Sequence, residues 1–252
     1  MSIKKANNFC VCIVENWWQR TDLLLGEDGR LRLEGSRVLV VGVGGVGAYA
    51  LEMLVRSGVG CVDIIDGDVV GVTNLNRQLP ALNSTLGKPK VDVLKERMLD
   101  INPSLKIDAV CGFVTVDNVA EIVGIGKYDF VIDAIDSVSP KVALIAHCLN
   151  NKINIISSMG AGGRMDLQKI QYADIWETHS DGLAKAVRDR LKKLGIRKKL
   201  KVVWSSEQPS KSALTLTNEI ACKVSSYGTV SFLPAVFGCY LAAFVIRKIS
   251  ER

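Results

Sequence analysis

At 252 residues, 48% of them hydrophobic and 23% charged, the chain has the length for one large domain, or one domain with a small appendage, and a composition unlike that of a disordered polymer. Its seven cysteines (Cys10, Cys12, Cys61, Cys111, Cys148, Cys222 and Cys239) form no C-x-x-C pair and no zinc-spaced cluster with histidine, so they read as reduced thiols of a cytoplasmic protein without structural zinc. The net charge of +6 conceals an asymmetry: residues 185–201 hold nine cationic side chains against Asp189 alone, a local +8. That density exceeds what solubility requires and points to a polyanion, nucleic acid first.

In chain order, residues 1–16 read as an N-terminal extension. Lys4 and Lys5 precede a short apolar run at 9–14 that continues into Glu15, Asn16, Trp17, Trp18, Gln19 and Arg20 without a small-residue cleavage site, so no export signal is read. Residues 38–47, Val-Leu-Val-Val-Gly-Val-Gly-Gly-Val-Gly, predict a buried strand over 37–42, a tight turn and a helix over 45–57. A strand ending this way aims free backbone N–H groups and the positive end of the next helix at one point, where an anion is stabilised. Gly42, Gly44, Gly45 and Gly47 supply the turn. The next strand, 60–66, delivers Asp66 19 residues beyond Gly47, placed to accept from a ribose hydroxyl.

Beyond it come Asp66-Gly67-Asp68, the run Thr73-Asn74-Leu75-Asn76-Arg77-Gln78, and Gly87-Lys88-Pro89-Lys90. This is more phosphate-binding equipment than a nicotinamide dinucleotide needs. Arg77 is able to pair bidentately with phosphate oxygens, and Lys90, opening a helix over 88–101, delivers a point charge beside them. A strand over 128–135 leads to Asp133 and Asp136, two carboxylates at the mouth of the sheet, either suited to Mg²⁺. Further strands over 106–111, 153–158 and 168–174 and helices over 116–124, 138–151, 181–194 and 234–249 complete an alternation that predicts an α/β fold with a doubly wound, Rossmann-like, mainly parallel sheet. The nucleotide-binding part is expected at about 36–160. A substrate-facing elaboration of short strands and loops follows at about 161–252, ending in an apolar helix. Residues 229–246 carry no charge, but Pro234 and Gly238 interrupt them, so a core helix is expected and no stable membrane span.

Taken together, G-V-G-G-V-G, D-G-D, T-N-L-N-R-Q, G-K-P-K and D-A-I-D resemble the ubiquitin-activating-enzyme-like adenylyltransferase superfamily, whose members activate a carboxylate as its acyl-adenylate. The match is most specific to the tRNA threonylcarbamoyladenosine dehydratase family. It runs from Trp17 to Arg247 through I-D-A-I-D-S-V-S-P-K (132–141), M-G-A-G-G (159–163), A-K-A-V-R-D-R-L-K-K-L-G-I-R-K (184–198), V-V-W-S-S-E (202–207) and G-T-V-S-F-L-P-A-V-F-G (228–238).

The resemblance implies that the four glycines shape the phosphate loop of an ATP site, that Asp66 holds the ribose, and that Asn74, Arg77 and Lys90 contact phosphates. It gives Asp136 the role of positioning Mg²⁺ and pyrophosphate, with Asp133 behind it. The implied reaction is ATP-dependent activation of the threonyl carboxylate of threonylcarbamoyladenosine in tRNA, followed by ring closure with loss of water. The basic segment, through Arg188, Lys192, Lys193, Arg197, Lys198 and Lys199, would then grip tRNA beside the ATP site.

A homodimer is implied, with the N-terminal segment and final helix at the interface and an arginine crossing to the partner's site. Arg20 is the candidate, although Leu23 occupies the register where some relatives carry arginine. Some relatives carry a cysteine before the final helix. Here Cys222 sits one position away, with Lys223 in its place, and a sulfur-transfer partner protein is conceivable. Glu207 is either a contact to the modified base or an ordinary strand-end carboxylate. Two alternatives remain: adenylation of a sulfur-carrier or ubiquitin-like protein's C-terminus, which the missing cysteine pairs oppose, and an NAD-dependent oxidoreductase, which Arg77 and Lys90 oppose.

Overall fold

Strand β1 (Arg37–Val41) sets the architecture, because it has no polar side: Val38 and Val40 pack into one hydrophobic cluster and Leu39 and Val41 into another. A strand buried on both faces needs cover above and below. The computed structural model, which describes residues 17–124, 126–216 and 225–251, provides it. The strands are β1, β2 (Cys61–Ile65), β3 (Lys106–Val110), β4 (Phe130–Asp133), β5 (Ile155–Ser158), β6 (Ile170–Asp174) and β7 (Lys201–Ser205). They form one seven-stranded sheet of order β3-β2-β1-β4-β5-β7-β6, parallel throughout except for the β6–β7 pair. Helices α1 (Gln19–Glu34), α2 (Gly47–Arg56), α3 (Lys90–Ile101) and α7 (Phe232–Ser250) cover one face, and α4 (Val119–Val123), α5 (Val138–Asn150) and α6 (Gly182–Lys193) the other. A short antiparallel pair, β8 (Leu214–Leu216) with β9 (Ser225–Tyr227), stands apart from the sheet. The 1–16 extension and Cys222 lie outside the described residues.

Two elements depart from the sequence expectation. Helix α1 was not expected, since its leucines make no single apolar stripe: Leu23 and Leu24 remain 84% exposed while Leu33 is fully buried, and Gly26 kinks the helix at φ +73°. Strand β7 lies in the stretch expected to hold short strands and loops, but it joins the main sheet, inserting between β5 and β6 and leaving β6 as an antiparallel edge.

Helix α7 is long and apolar enough to cross a membrane by length and composition, with a mean hydropathy of 1.6. In the fold it packs along α2 with Phe237, Leu241, Ala242 and Val245 buried. A Cβ on Gly238 would strike the carbonyl of Val46 and lie 2.9 Å from the amide nitrogen of Ala50, so glycine is what lets the two helices meet.

The strand order reverses between β1 and β4, and Val41 pairs with Asp133 across that seam. Crevices at such reversals, beyond the carboxyl ends of the strands, are where open α/β sheets bind ligands.

Candidate functional site

The chain leaves β1 through Gly42, whose N–H donates to the Ile65 carbonyl (2.8 Å) and whose φ of +82° belongs to the left-handed region. A Cβ there would lie 2.9 Å from the Ala134 carbonyl oxygen, so the exits of β1 and β4 pass in direct contact. At Gly47 a Cβ would collide with the Gly42 carbonyl, which seats the first turn of α2 on the loop itself. Val46 stands at the N-cap of α2 without a side-chain cap; the Ala48 N–H donates to the Gly44 carbonyl (3.3 Å), and the positive end of the helix points at the loop, where an anion is stabilised. Gly44 faces the Gln78 amide, and Gly45 the aliphatic stem of Arg77.

Asp66 closes the other side of the loop. Its Oδ2 accepts from the Val43 N–H (2.8 Å) and its Oδ1 from the Asp68 N–H (2.8 Å). Burial pushes its carboxyl above the usual aspartate range, while the charge of Lys90 works against that rise. Lys90 is only 3% exposed, and its Nζ donates to Asp68 Oδ2 at 2.7 Å. A cation this deep requires a partner. Asp68 supplies it.

Arg77 is half-buried, and its Nη1 donates to the Thr73 carbonyl (2.9 Å) and Asn76 Oδ1 (2.8 Å). Burial lowers its pKa, and the negative charge of Asp136 opposes the drop. Asn74 Oδ1 accepts from the Gly71 N–H (2.9 Å), which makes that side chain a clamp on the turn carrying Arg77. Asp136 is exposed at the end of the loop after β4. Among the described residues no group of three or more His, Cys, Asp or Glu is able to hold a metal, so Mg²⁺ here would rest on Asp136 and phosphate oxygens, a ligand set it commonly accepts.

Sequence reasoning passed over Lys141. This lysine, in the first turn of α5, is fully buried; its Nζ donates to Asp133 Oδ2 (2.8 Å) and to the Ile135 carbonyl (2.8 Å). Asp133 is equally buried and accepts also from Ser157 Oγ (2.6 Å) and the Ile135 N–H (3.0 Å). Burial, together with the charge of Asp133, pushes the Cys148 thiol up to about 12. Lys141 therefore ties down both ends of the 133–135 turn that presents Asp136. The signal in the sequence was a lysine on a helix whose neighbours Val142, Leu144, Ile145 and Cys148 are core residues.

A second buried network shapes the loop after β5. Asp181 caps α6 by accepting from the Ala184 N–H (2.9 Å) and also accepts from the Gly160 N–H (3.0 Å). The Arg164 guanidinium donates to the carbonyls of Gly160, Ser180 (2.8 Å) and Glu207 (2.9 Å). Glu207 accepts from the N–H groups of Met165 (3.0 Å) and Asp166 (2.8 Å). Of its two readings, the structure gives Glu207 that of a strand-end clamp.

The basic segment starts at the site and leads away from it. Helix α6 starts at the site end of the sheet, where Asp181 meets Gly160. By Lys201, which pairs with Ile156 and Asp174 at the start of β7, the chain has reached the opposite end, about 16 Å away over five extended residues. Lys192, Lys193, Arg197 and Lys199 are exposed along the way. Arg188 turns inward, to Thr178 Oγ1 and the Ile175 carbonyl (3.3 Å), and Lys198 Nζ donates to the Leu149 carbonyl (2.9 Å). Arg20 sits exposed in the first turn of α1.

Residues 19–252 match the model of the ThiF family. The tRNA threonylcarbamoyladenosine dehydratase of Bacillus subtilis (strain 168) is 40% identical over 239 residues, covering 92% of this chain and 94% of that protein. The crystal structure of the E. coli tRNA N6-threonylcarbamoyladenosine dehydratase in complex with ATP is similar with a TM-score of 0.85 and 37% identity, covering 95% of this chain and 97% of that one. The molybdopterin-synthase adenylyltransferase of Escherichia coli (strain K12) is 36% identical over 141 residues, 56% of this chain and 55% of that protein.

Proposed function

The chain belongs to the ThiF family, and from that premise we propose that it is an ATP-dependent tRNA threonylcarbamoyladenosine dehydratase. One observation carries the reading: the Arg77 stem packs against Gly45 at the uncapped start of α2, while Asp66 holds the Val43 N–H of the same loop and Lys90 reaches Asp68, two residues on from Asp66.

ATP, taken as a substrate, supplies an α-phosphorus on which the threonyl carboxylate displaces pyrophosphate. Negative charge grows on the phosphate oxygens during that displacement, and the loop amides, Arg77 and Lys90 stand where it accumulates. Asp66 takes the ribose hydroxyls, and Asp136 would hold Mg²⁺, which would supply further neutralisation of the phosphate charge. A carboxylate and a triphosphate repel one another in water, so the cationic rim contributes proximity as well as charge neutralisation. Attack by the neighbouring carbamoyl group on the activated acyl carbon then closes the ring. AMP departs with one carboxylate oxygen, so the nucleoside loses one water overall and no protein nucleophile takes part.

The exposed Leu23 and Leu24 of α1 suit a homodimer in which a second copy covers them and brings Arg20 toward its neighbour's site. Light scattering reads the oligomeric state directly.

The deciding experiment incubates the protein with ATP, Mg²⁺ and tRNA bearing threonylcarbamoyladenosine, and follows the nucleoside by mass spectrometry. Loss of one water is expected. The partial match to a molybdopterin-synthase adenylyltransferase favours a second reading, activation of a carrier protein's C-terminus. Pyrophosphate exchange stimulated by such a carrier and not by tRNA would replace the first reading with the second.

A further inference from the structure

At the end of the sheet opposite the strand tips, the starts of β4, β5 and β7 surround a cleft of about 550 Å³. Lysines reach it from three separate stretches: Lys152 after α5, Lys199 and Lys201 at the approach to β7, and Lys248 in the last turn of α7. All four are exposed at the rim, over a floor that includes Phe130, Ile153 and Phe244. The two carboxylates of the lining are engaged with backbone: Asp174 Oδ1 accepts from the Trp176 N–H (3.1 Å) and Glu177 Oε2 from the Asp174 N–H (3.3 Å). The lining keeps a net positive charge.

This cleft continues the exposed cations of the basic segment. Lys185, Lys192 and Lys193 descend α6, a span of about 18 Å for its twelve residues, and Arg197 and Lys199 lead from its end to the rim. The positive surface thus forms one track that starts beside the Gly160 loop and ends among residues brought in by α5, β7 and α7. Ammonium groups without a guanidinium in the lining supply charge without a fixed hydrogen-bond fork, which suits a partner recognised by its phosphates and not by its shape. Phosphate contacts of that kind fix register and orientation and carry no sequence information.

We propose that the cleft is a second anchor for the phosphodiester backbone of the tRNA whose modified nucleoside is presented to the strand tips. The inference rests on the function proposed above. Two anchors, one at each end of α6, hold an RNA stem along the helix and set the angle at which its loop meets the nucleotide site.

The test is the full chain carrying Lys152→Glu, Lys201→Glu and Lys248→Glu, none of which belongs to the nucleotide site. Binding to tRNA is followed by fluorescence anisotropy across a salt series, with the thermal shift on adding ATP as the control. The triple variant is expected to bind tRNA at least tenfold more weakly at low salt, with a log–log salt slope shallower by about 2 to 3, at roughly 0.9 per lost phosphate contact. Its ATP shift should equal that of the unaltered protein, and its dehydration rate should recover at saturating tRNA, a change in KM without one in kcat. If the triple variant unfolds, Lys201→Gln and Lys248→Gln tested singly should each make the slope shallower by about 1. Unchanged affinity and slope, in variants that keep the ATP shift, would overturn the second anchor while leaving the dehydratase reading intact, because the unaltered protein still converts its tRNA. Should the unaltered protein neither bind nor dehydrate tRNA, the functional reading fails and the anchor with it.

Discussion

The site end of the sheet and the lysine-lined cleft at its other end use charge in opposite ways. At the carboxyl ends of the central strands several charged side chains are sunk and paired: Lys141 with Asp133, Arg164 with Asp181, and Lys90, itself buried, with the exposed Asp68. At the other end Lys152, Lys199, Lys201 and Lys248 stand in solvent. A buried pair has one low-energy geometry, since any displacement strands a desolvated charge, so it fixes backbone to within a hydrogen bond. Exposed ammoniums fix nothing, but their summed field extends over about a Debye length. One end is built for position, as the proposed displacement of pyrophosphate demands. The other is built for attraction.

The contrast is broken most severely at Lys141. Lys141→Met leaves Asp133 charged, buried and short of a partner, and should cost about 3–5 kcal/mol of stability in urea unfolding at neutral pH. The double change with Asp133→Asn should recover part of that loss. A cost below about 1 kcal/mol would mean that the buried pair does not secure the turn before Asp136.

Arg77→Ala comes next. It removes a cation from the transition state and should slow pyrophosphate exchange by about 10²–10³-fold, with the melting temperature little changed. Full activity in the variant would remove Arg77 from the phosphate site.

Asp66 offers a pH handle of intermediate size. In the proposed site its ionised form accepts from the ribose, and burial raises its pKa above the ordinary 3.8. Nucleotide affinity should therefore be full above that raised value and fall as pH drops through it, by up to tenfold per pH unit. The decline should begin at higher pH than an ordinary aspartate would allow. Asp66→Asn should bind more weakly throughout and show no such decline in an equilibrium titration with ATP.

The smallest effect belongs to the exposed end. Reversing Lys192 or Lys193 singly should weaken tRNA binding only several-fold and make the salt slope shallower by about 1, with ATP binding spared. Equal loss of both affinities would show that α6 serves the nucleotide site instead.

Much of the site end was legible because its signals are local. The apolar run of β1 leads straight into Gly42, Gly44, Gly45 and Gly47, and Asp66 lies one strand further on, so spacing alone places them together. Arg77 and Lys90 announced themselves as cations in a polar stretch too rich for a dinucleotide. Lys141 did not, because a lysine at the start of a helix usually faces solvent, and nothing local says that Asp133 and Ser157 will close over it. Helix α1 escaped because its kink at Gly26 and its two exposed leucines blur the helical period. Glu207 and Arg164 acquire their partners, the backbone of 160–166 and 207, only once β5, β6 and β7 are side by side.

The sequence by itself determined the alternation of strands and helices, the glycine turn after β1 and the size of the basic charge, since each depends on residues close together in the chain. Only the tertiary structure decided that β7 would wedge between β5 and β6, and with it that residues 197–201 would emerge at the far end of the sheet. Strand order is settled by which apolar faces cover one another, a competition among distant segments, and so the direction in which a charged helix carries its cations belongs to packing and not to spacing.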